Sequence, residues 1–256
     1  MDIEDITFSY DKKVNTLHSV NCSIDIGKVT TIIGPNGCGK STLLSVMSHN
    51  NLPQGGQVLL DGKALADFKP KELAKKLAVV HQQNTAPSDM TVEKLTSYGR
   101  IPYKHLFSST TAEDDQAVEW ALECTNLTDK RKVAIDELSG GQMQRVWIAM
   151  ALAQKTPYLF LDEPTTYLDI YYQYELLELI KSLNRTHGMS IVMVLHDINQ
   201  AIRYSDTIIG MKNGEIVAKG VPSEVITVQT VKEIYGVDVV VKTDKEAGMY
   251  IVPVGI

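Results

Sequence analysis

The first eight of the nine residues Gly34-Pro35-Asn36-Gly37-Cys38-Gly39-Lys40-Ser41-Thr42 satisfy the pattern G-x-x-x-x-G-K-[ST], the form of a loop that cradles phosphates. Its glycines let the backbone wrap an anion, so that several N–H groups converge at the positive end of the following helix. Lys40 is placed to reach the β- and γ-phosphates of a nucleoside triphosphate, and the Ser41 hydroxyl to ligate Mg²⁺. Cys38 is read simply as a small residue inside that loop. A second segment, Asp162-Glu163-Pro164, ends the apolar run Tyr158-Leu159-Phe160-Leu161. Two adjacent acids at the end of a buried strand are costly unless a cation or a water uses them. Asp162 suits the Mg²⁺ shell, and Glu163 the polarisation of an attacking water, a role worth roughly 10²–10⁴ in rate. A third segment, Leu138-Ser139-Gly140-Gly141-Gln142, is a Ser-Gly-Gly turn opening a helix, again a place where backbone N–H groups meet an anion. The first and third segments are two half-sites for one triphosphate, which suggests a chain that pairs with a copy of itself.

These groups need elements to hold them. Lys28-Val29-Thr30-Thr31-Ile32-Ile33 is β-branched and apolar, as a buried parallel strand should be, and Ser41 to Met47 can run as a helix. Strand and helix signals alternate from residue 27 onward, which predicts a mainly parallel sheet covered by helices. The first 26 residues read as short alternating strands, an antiparallel flap. Between about Asn84 and Thr156 the pattern is mostly helical. One helix is expected over Ala112 to Cys124 with Ala117, Trp120, Ala121 and Cys124 on one face. Another is expected over Gly141 to Gln154, capped by Ser139 or Gly140. The expected fold is α/β: a RecA-like P-loop NTPase core with a small antiparallel β part and an inserted helical subdomain. The core is expected over 1–83 and 156–256 and the helical subdomain over 84–155.

With 256 residues, of which 44% are hydrophobic, the chain can build a full core. A net charge of −6 argues against a broad nucleic-acid surface. The basic run Lys69-Pro70-Lys71-Glu72-Leu73-Ala74-Lys75-Lys76 reads as a solvated helix face. Apolar stretches such as Ile191 to Leu195 are too short to cross a bilayer. The start, Met1-Asp2-Ile3-Glu4, lacks the regions of a signal peptide. A soluble, cytosolic chain is therefore expected. The cysteines Cys22, Cys38 and Cys124 have no metal-like spacing and need no disulfide.

In order and spacing these motifs resemble those of the ABC-transporter ATPases, over essentially the whole chain. Leu138 to Gln142 reads as the family's LSGGQ signature. Tyr10, in Phe8-Ser9-Tyr10, matches the aromatic that stacks on adenine, and Asp169, in Tyr167-Leu168-Asp169, the D-loop. Gln82, in Val80-His81-Gln82-Gln83, matches the Q-loop, and His196, in Val194-Leu195-His196-Asp197, the switch histidine. The resemblance implies ATP and Mg²⁺ as cofactors. It assigns nucleotide contacts to Tyr10, to Asn36, Gly37, Cys38, Gly39, Lys40, Ser41 and Thr42, and to Ser139, Gly140, Gly141, Gln142 and Asp169. It assigns Mg²⁺ to Ser41, Gln82 and Asp162, and catalysis to Glu163, His196, Gln82 and Lys40. Each lesser residue has a plainer reading when taken alone: Tyr10 as packing, His196 as a core-edge histidine. Gln82 and Gln83 are adjacent, and Gln82 is preferred because it follows the strand Leu77 to His81 directly.

The resemblance also implies a homodimer in which each ATP lies between two chains. About a hundred residues separate loop and signature, too few for the coiled-coil chromosome ATPases. There is one ATPase unit rather than two, and no fused membrane helix is read. What remains is an importer subunit that docks on separate permease subunits from the cytoplasmic face of the membrane, as a peripheral protein. An extracytoplasmic substrate-binding protein would then be an indirect partner. Thr165-Thr166-Tyr167-Leu168-Asp169-Ile170, Tyr98 to Tyr103, His196 to Ala201 and Gly220-Val221-Pro222 resemble ATPases serving ferric siderophores, haem and cobalamin. Ferric siderophore is the first expectation, with haem or cobalamin as alternatives and a soluble P-loop kinase as a different class. Docking is expected around Thr85 to Pro102. Arg100 and Tyr103 either belong to that surface or cover the arm's own core.

Overall fold

The computed structural model describes residues 1–104 and 110–256. Two strands come first, β1 (Asp2–Phe8), whose Ile3, Ile6 and Phe8 point inward, and β2 (Leu17–Ser23). β3 (Val29–Ile33) is buried along its whole length and leads into α1 (Lys40–Met47). Then come β4 (Gly55–Leu60), β5 (Lys63–Ala64), the single turn α2 (Pro70–Leu73) and β6 (Leu77–Val80). Three helices follow, α3 (Val92–Ser97), α4 (Ala112–Cys124) and α5 (Gly140–Ala153). β7 (Tyr158–Leu161) is fully buried and precedes the longest described helix, α6 (Ile170–His187). That helix buries a stripe of Leu176, Leu177, Ile180 and Leu183 and stops where Gly188 turns left-handed at φ 63°. The remainder is β8 (Ser190–Val194), α7 (Ile198–Tyr204), β9 (Thr207–Lys212), β10 (Glu215–Gly220), α8 (Pro222–Val225), α9 (Val228–Tyr235), β11 (Asp238–Asp244) and β12 (Gly248–Gly255).

The chain groups into two compact units, residues 1–68 with 190–256 and residues 69–189. The first unit carries an antiparallel sheet of order β2-β1-β4-β5 and the strand series β10-β9-β3-β8. In that series β3 runs parallel to both β8 and β9, while β10 closes the edge antiparallel to β9. β3 and β8 are covered on both faces, so every residue in them is buried, Thr30, Thr31 and Ser190 included, with no alternation between inward and outward positions. The β11–β12 ribbon stands as its own two-stranded sheet. In the second unit β6 and β7 pair in parallel, from Leu77 opposite Tyr158 to Val80 opposite Leu161. This is the expected α/β class: a RecA-like P-loop core with a small antiparallel part and an inserted helical segment.

Some local expectations differ. The antiparallel flap takes in β4 and β5 beyond the first 26 residues. The inward face of α4 is Asp114, Ala117, Val118, Ala121 and Leu122, while Trp120 and Cys124 are half-buried. The segment 84–155 holds α3, α4 and α5, whereas the compact unit around it also holds α2, β6, β7 and α6.

Candidate nucleotide site

In the first unit the glycine loop leaves β3 and enters α1. Gly39 caps that helix at φ 101°, a conformation that L side chains rarely adopt. Gly34, at φ 152°, passes so close to β9 that a Cβ there would stand 2.3 Å from the Met211 carbonyl oxygen. Lys40 is buried, and its Nζ donates to the carbonyls of Gly34 at 2.9 Å and Pro35 at 3.0 Å. Those two bonds compensate an ammonium that would otherwise be expensive to bury. Asn36 and Gly37 are exposed at the tip, Ser41 is half-buried and Thr42 buried. The Tyr10 hydroxyl lies 3.2 Å from the Thr42 hydroxyl. Its ring stands edge-on to Phe8, yet 68% of the residue is exposed, which leaves a flat face for a base. Burial pushes the Cys38 thiol above its ordinary value of 9.0, against the pull of nearby Lys40. His196 is exposed just after β8, where Asp197 caps α7 by accepting from the Gln200 N–H at 3.0 Å.

In the second unit the parallel register decides the geometry. Val80 opposite Leu161 brings the residues that follow each strand side by side, and the Asp162 N–H donates to the Val80 carbonyl at 2.9 Å. Two residues past Val80, the Gln82 amide donates to Glu163 Oε2 at 2.6 Å. Of the adjacent pair Gln82 and Gln83, Gln82 is the one that makes this bond. The same carboxylate oxygen accepts from the Thr166 hydroxyl at 3.2 Å. Glu163 holds a left-handed backbone, φ 50°, as does Tyr167 at φ 66°. Asp169 is the exposed N-cap of α6.

Ser139 caps the signature helix α5 reciprocally. Its hydroxyl accepts from the Gln142 N–H at 3.4 Å, and Gln142 Oε1 accepts from the Ser139 N–H at 3.2 Å. At the other end, Arg100 donates to the Ala153 carbonyl at 2.9 Å and Tyr103 to the Gln154 carbonyl at 2.9 Å. Arg100 is 2% exposed, bonds Asp114 at 2.8 Å and stacks on Tyr103. Of the two readings of Arg100, the structure supports the core and not the surface. Burial pushes the Asp114 carboxyl up, but hydrogen bonds from Arg100 and Thr111 outweigh it and hold it below the usual 3.8.

Sequence reasoning missed three contributors. Thr166 lies one turn after Glu163, an offset that was readable. Asp114 belongs to the capping box Thr111-x-x-Asp114, also readable. The Arg145–Glu175 ion pair joins α5 to α6 across thirty positions and left no local signal.

A family model described as ABC transporter matches residues 17–166. The chain belongs to the ABC transporter family. It is an ABC-type ATPase, with hydrolysis coupled to transport. It is 44% identical over 253 residues to the ferric enterobactin transport ATP-binding protein FepC of Escherichia coli (strain K12), covering 98% of this chain and 93% of that one. It is 44% identical over 244 residues to the iron(3+)-hydroxamate import ATP-binding protein FhuC of Bacillus subtilis (strain 168), covering 95% and 90%. Among solved structures it resembles the dimeric structure of MJ0796, a bacterial ABC transporter cassette. There the TM-score is 0.75 at 31% identity, covering 86% of this chain and 98% of that one. No helix among the described residues is long and apolar enough to cross a membrane.

Proposed function

We propose that this chain is the ATP-binding and ATP-hydrolysing subunit of a metal-chelate importer, with ferric siderophore as the cargo. It works as a homodimer that encloses two ATP molecules and drives separate permease subunits from the cytoplasmic face. An extracytoplasmic substrate-binding protein delivers the cargo and never meets this chain directly. Ferric enterobactin transport by FepC and iron(3+)-hydroxamate import by FhuC support the cargo, and the MJ0796 dimer supports the pairing.

The observation that carries the clamp is Gly140. Its backbone is ordinary helix and a Cβ there would meet nothing within 4 Å among the described residues. Glycine gives up more backbone freedom on folding than any other residue. Among the described residues nothing around it repays that cost, but a phosphate approaching the bare backbone from a second chain does. Ser139, Gly140, Gly141, Gln142 and Asp169 are accordingly the part lent to the partner's nucleotide.

Tyr10 takes the adenine, and residues Asn36 to Thr42 wrap the phosphates. A triphosphate offers the Lys40 ammonium stronger acceptors than the carbonyls of Gly34 and Pro35, so the side chain exchanges one set for the other. Ser41, Gln82 and Asp162 are oxygen donors of the kind that Mg²⁺ prefers, and the ion would neutralise charge on the phosphates. Glu163 takes a proton from the attacking water and Gln82 orients that carboxylate. His196 donates to the terminal phosphate. Docking falls within Thr85 to Pro102, on exposed residues such as Tyr98 and Ile101 rather than on buried Arg100. The cassette division is a core of 1–83 with 156–256 and a helical subdomain of 84–155.

Size-exclusion chromatography of Glu163→Gln with Mg-ATP tests the reading. The variant is expected to elute as a dimer; a species that stays monomeric while binding ATP overturns the clamp. Ser139→Arg is expected to bind ATP yet lose hydrolysis.

A further inference from the structure

The two glycines of the signature turn sit in different surroundings. Gly140 is open, but Gly141 is not. Gly141 has an ordinary helical backbone, so conformational freedom does not explain it. A Cβ there would stand 3.0 Å from both Cδ1 and Cγ of Tyr172 and 3.3 Å from its Cβ. The Tyr172 ring therefore lies against bare backbone, closer than a side chain at position 141 would comfortably allow.

Tyr172 is the third residue of α6, the helix that Asp169 caps. One turn further along both helices, Arg145 pairs with Glu175. Gly141 and Arg145 are four apart and Tyr172 and Glu175 three apart, so each pair shares a helix face. An apolar contact at the first turn and a charged one at the next fix α6 against α5 in both slide and rotation.

We propose that Tyr172 is a positioning residue for ATP hydrolysis. Its ring holds the Gly140 and Gly141 N–H groups at the angle in which they meet the partner's terminal phosphate. The D-loop at the head of α6 and the signature turn then move as one piece. This rests on the reading of Leu138 to Gln142 as a contact made in trans. The contact uses ring carbons and not the hydroxyl, so phenylalanine should serve and alanine should not. An aromatic ring suits the task because it covers area with few rotamers to freeze.

The test measures ATP turnover of the full chain against protein concentration, beside binding of a fluorescent ATP analogue at concentrations where the chain is monomeric. Tyr172→Ala is expected to lower maximal turnover by about tenfold or more, since small misplacements of reacting groups are costly. It should also raise the protein concentration needed for half-maximal turnover and leave analogue binding unchanged, which reports an intact fold. Tyr172→Phe should restore both quantities. Gly141→Ala should impair the wild-type chain but add little to Tyr172→Ala, because the new methyl enters space the ring has left. Wild-type turnover in Tyr172→Ala, or equal damage from phenylalanine and alanine, would overturn the proposal. So would a Gly141→Ala effect identical in both backgrounds. If Glu163→Gln dimerises on Mg-ATP while these results fail, the positioning role alone is lost. If Glu163→Gln stays monomeric, the reading beneath it fails.

Discussion

Glu163 holds its carboxylate between Gln82 and Thr166 from a left-handed backbone at φ 50°. A non-glycine residue there carries strain on the order of 1–3 kcal/mol. From that backbone the carboxylate accepts from the amide of Gln82, the residue two positions beyond the partner strand. Replacing Glu163 by glutamine keeps the shape and removes the proton acceptor. Steady-state turnover is expected to fall by about 10²–10⁴ while nucleotide affinity persists; turnover within a few-fold of wild type would remove Glu163 from that role. Cys38 offers a probe from the other unit. Its thiol is 4% exposed and held protonated above the ordinary 9.0 by burial. Alkylation at Cys38, followed by mass spectrometry, should stay slow at pH 8 and accelerate only as pH rises through the raised value. ATP should slow it further, and a rate indifferent to ATP would contradict the nucleotide's placement in the glycine loop.

Arg100 and Asp114 show how an element is secured by charges placed inside it. Both are buried, and the pair joins α4 to the segment that caps α5. Removing one partner from a buried pair leaves an uncompensated charge, at a cost of about 3–5 kcal/mol. Arg100→Glu should therefore lower the thermal unfolding midpoint sharply, and an unchanged Tm would refute the packing argument. The pH dependence has a definite sign. The Asp114 carboxyl is lowered in the fold, so its stabilisation is complete above the ordinary value of 3.8 and is lost as pH falls through its folded value. Acid unfolding of Asp114→Asn should show a weaker pH dependence than wild type in that range. These residues also mark where sequence reading stops. The glycine loop, the strands β3, β7 and β8 and the Ser139 cap are legible because their causes are local: spacing, runs of β-branched and apolar residues, and a capping offset. Arg100 invites a surface reading because an arginine in sequence carries no sign of a partner fourteen positions away. Strands β4, β11 and β12 are polar or glycine-bearing and depend on pairing partners for their shape. The contact of Tyr172 with Gly141 spans thirty-one positions and only packing reveals it.

As a working unit the proposed protein is two chains and two nucleotides. Turnover per chain should rise with protein concentration through the dimerisation range. Rates independent of concentration, measured by phosphate release across that range, would contradict a shared site. The membrane-facing role adds a requirement that α5 meets in its own construction. Its tail carbonyls are gripped by Arg100 and Tyr103, next to the exposed Tyr98 and Ile101, and its head carries the signature turn. Fourteen residues of helix make a stiff rod of about 21 Å. Under the docking proposed at Tyr98 and Ile101, a shove from a permease at one tip would be handed to the other as displacement, without waiting for anything between them to refold.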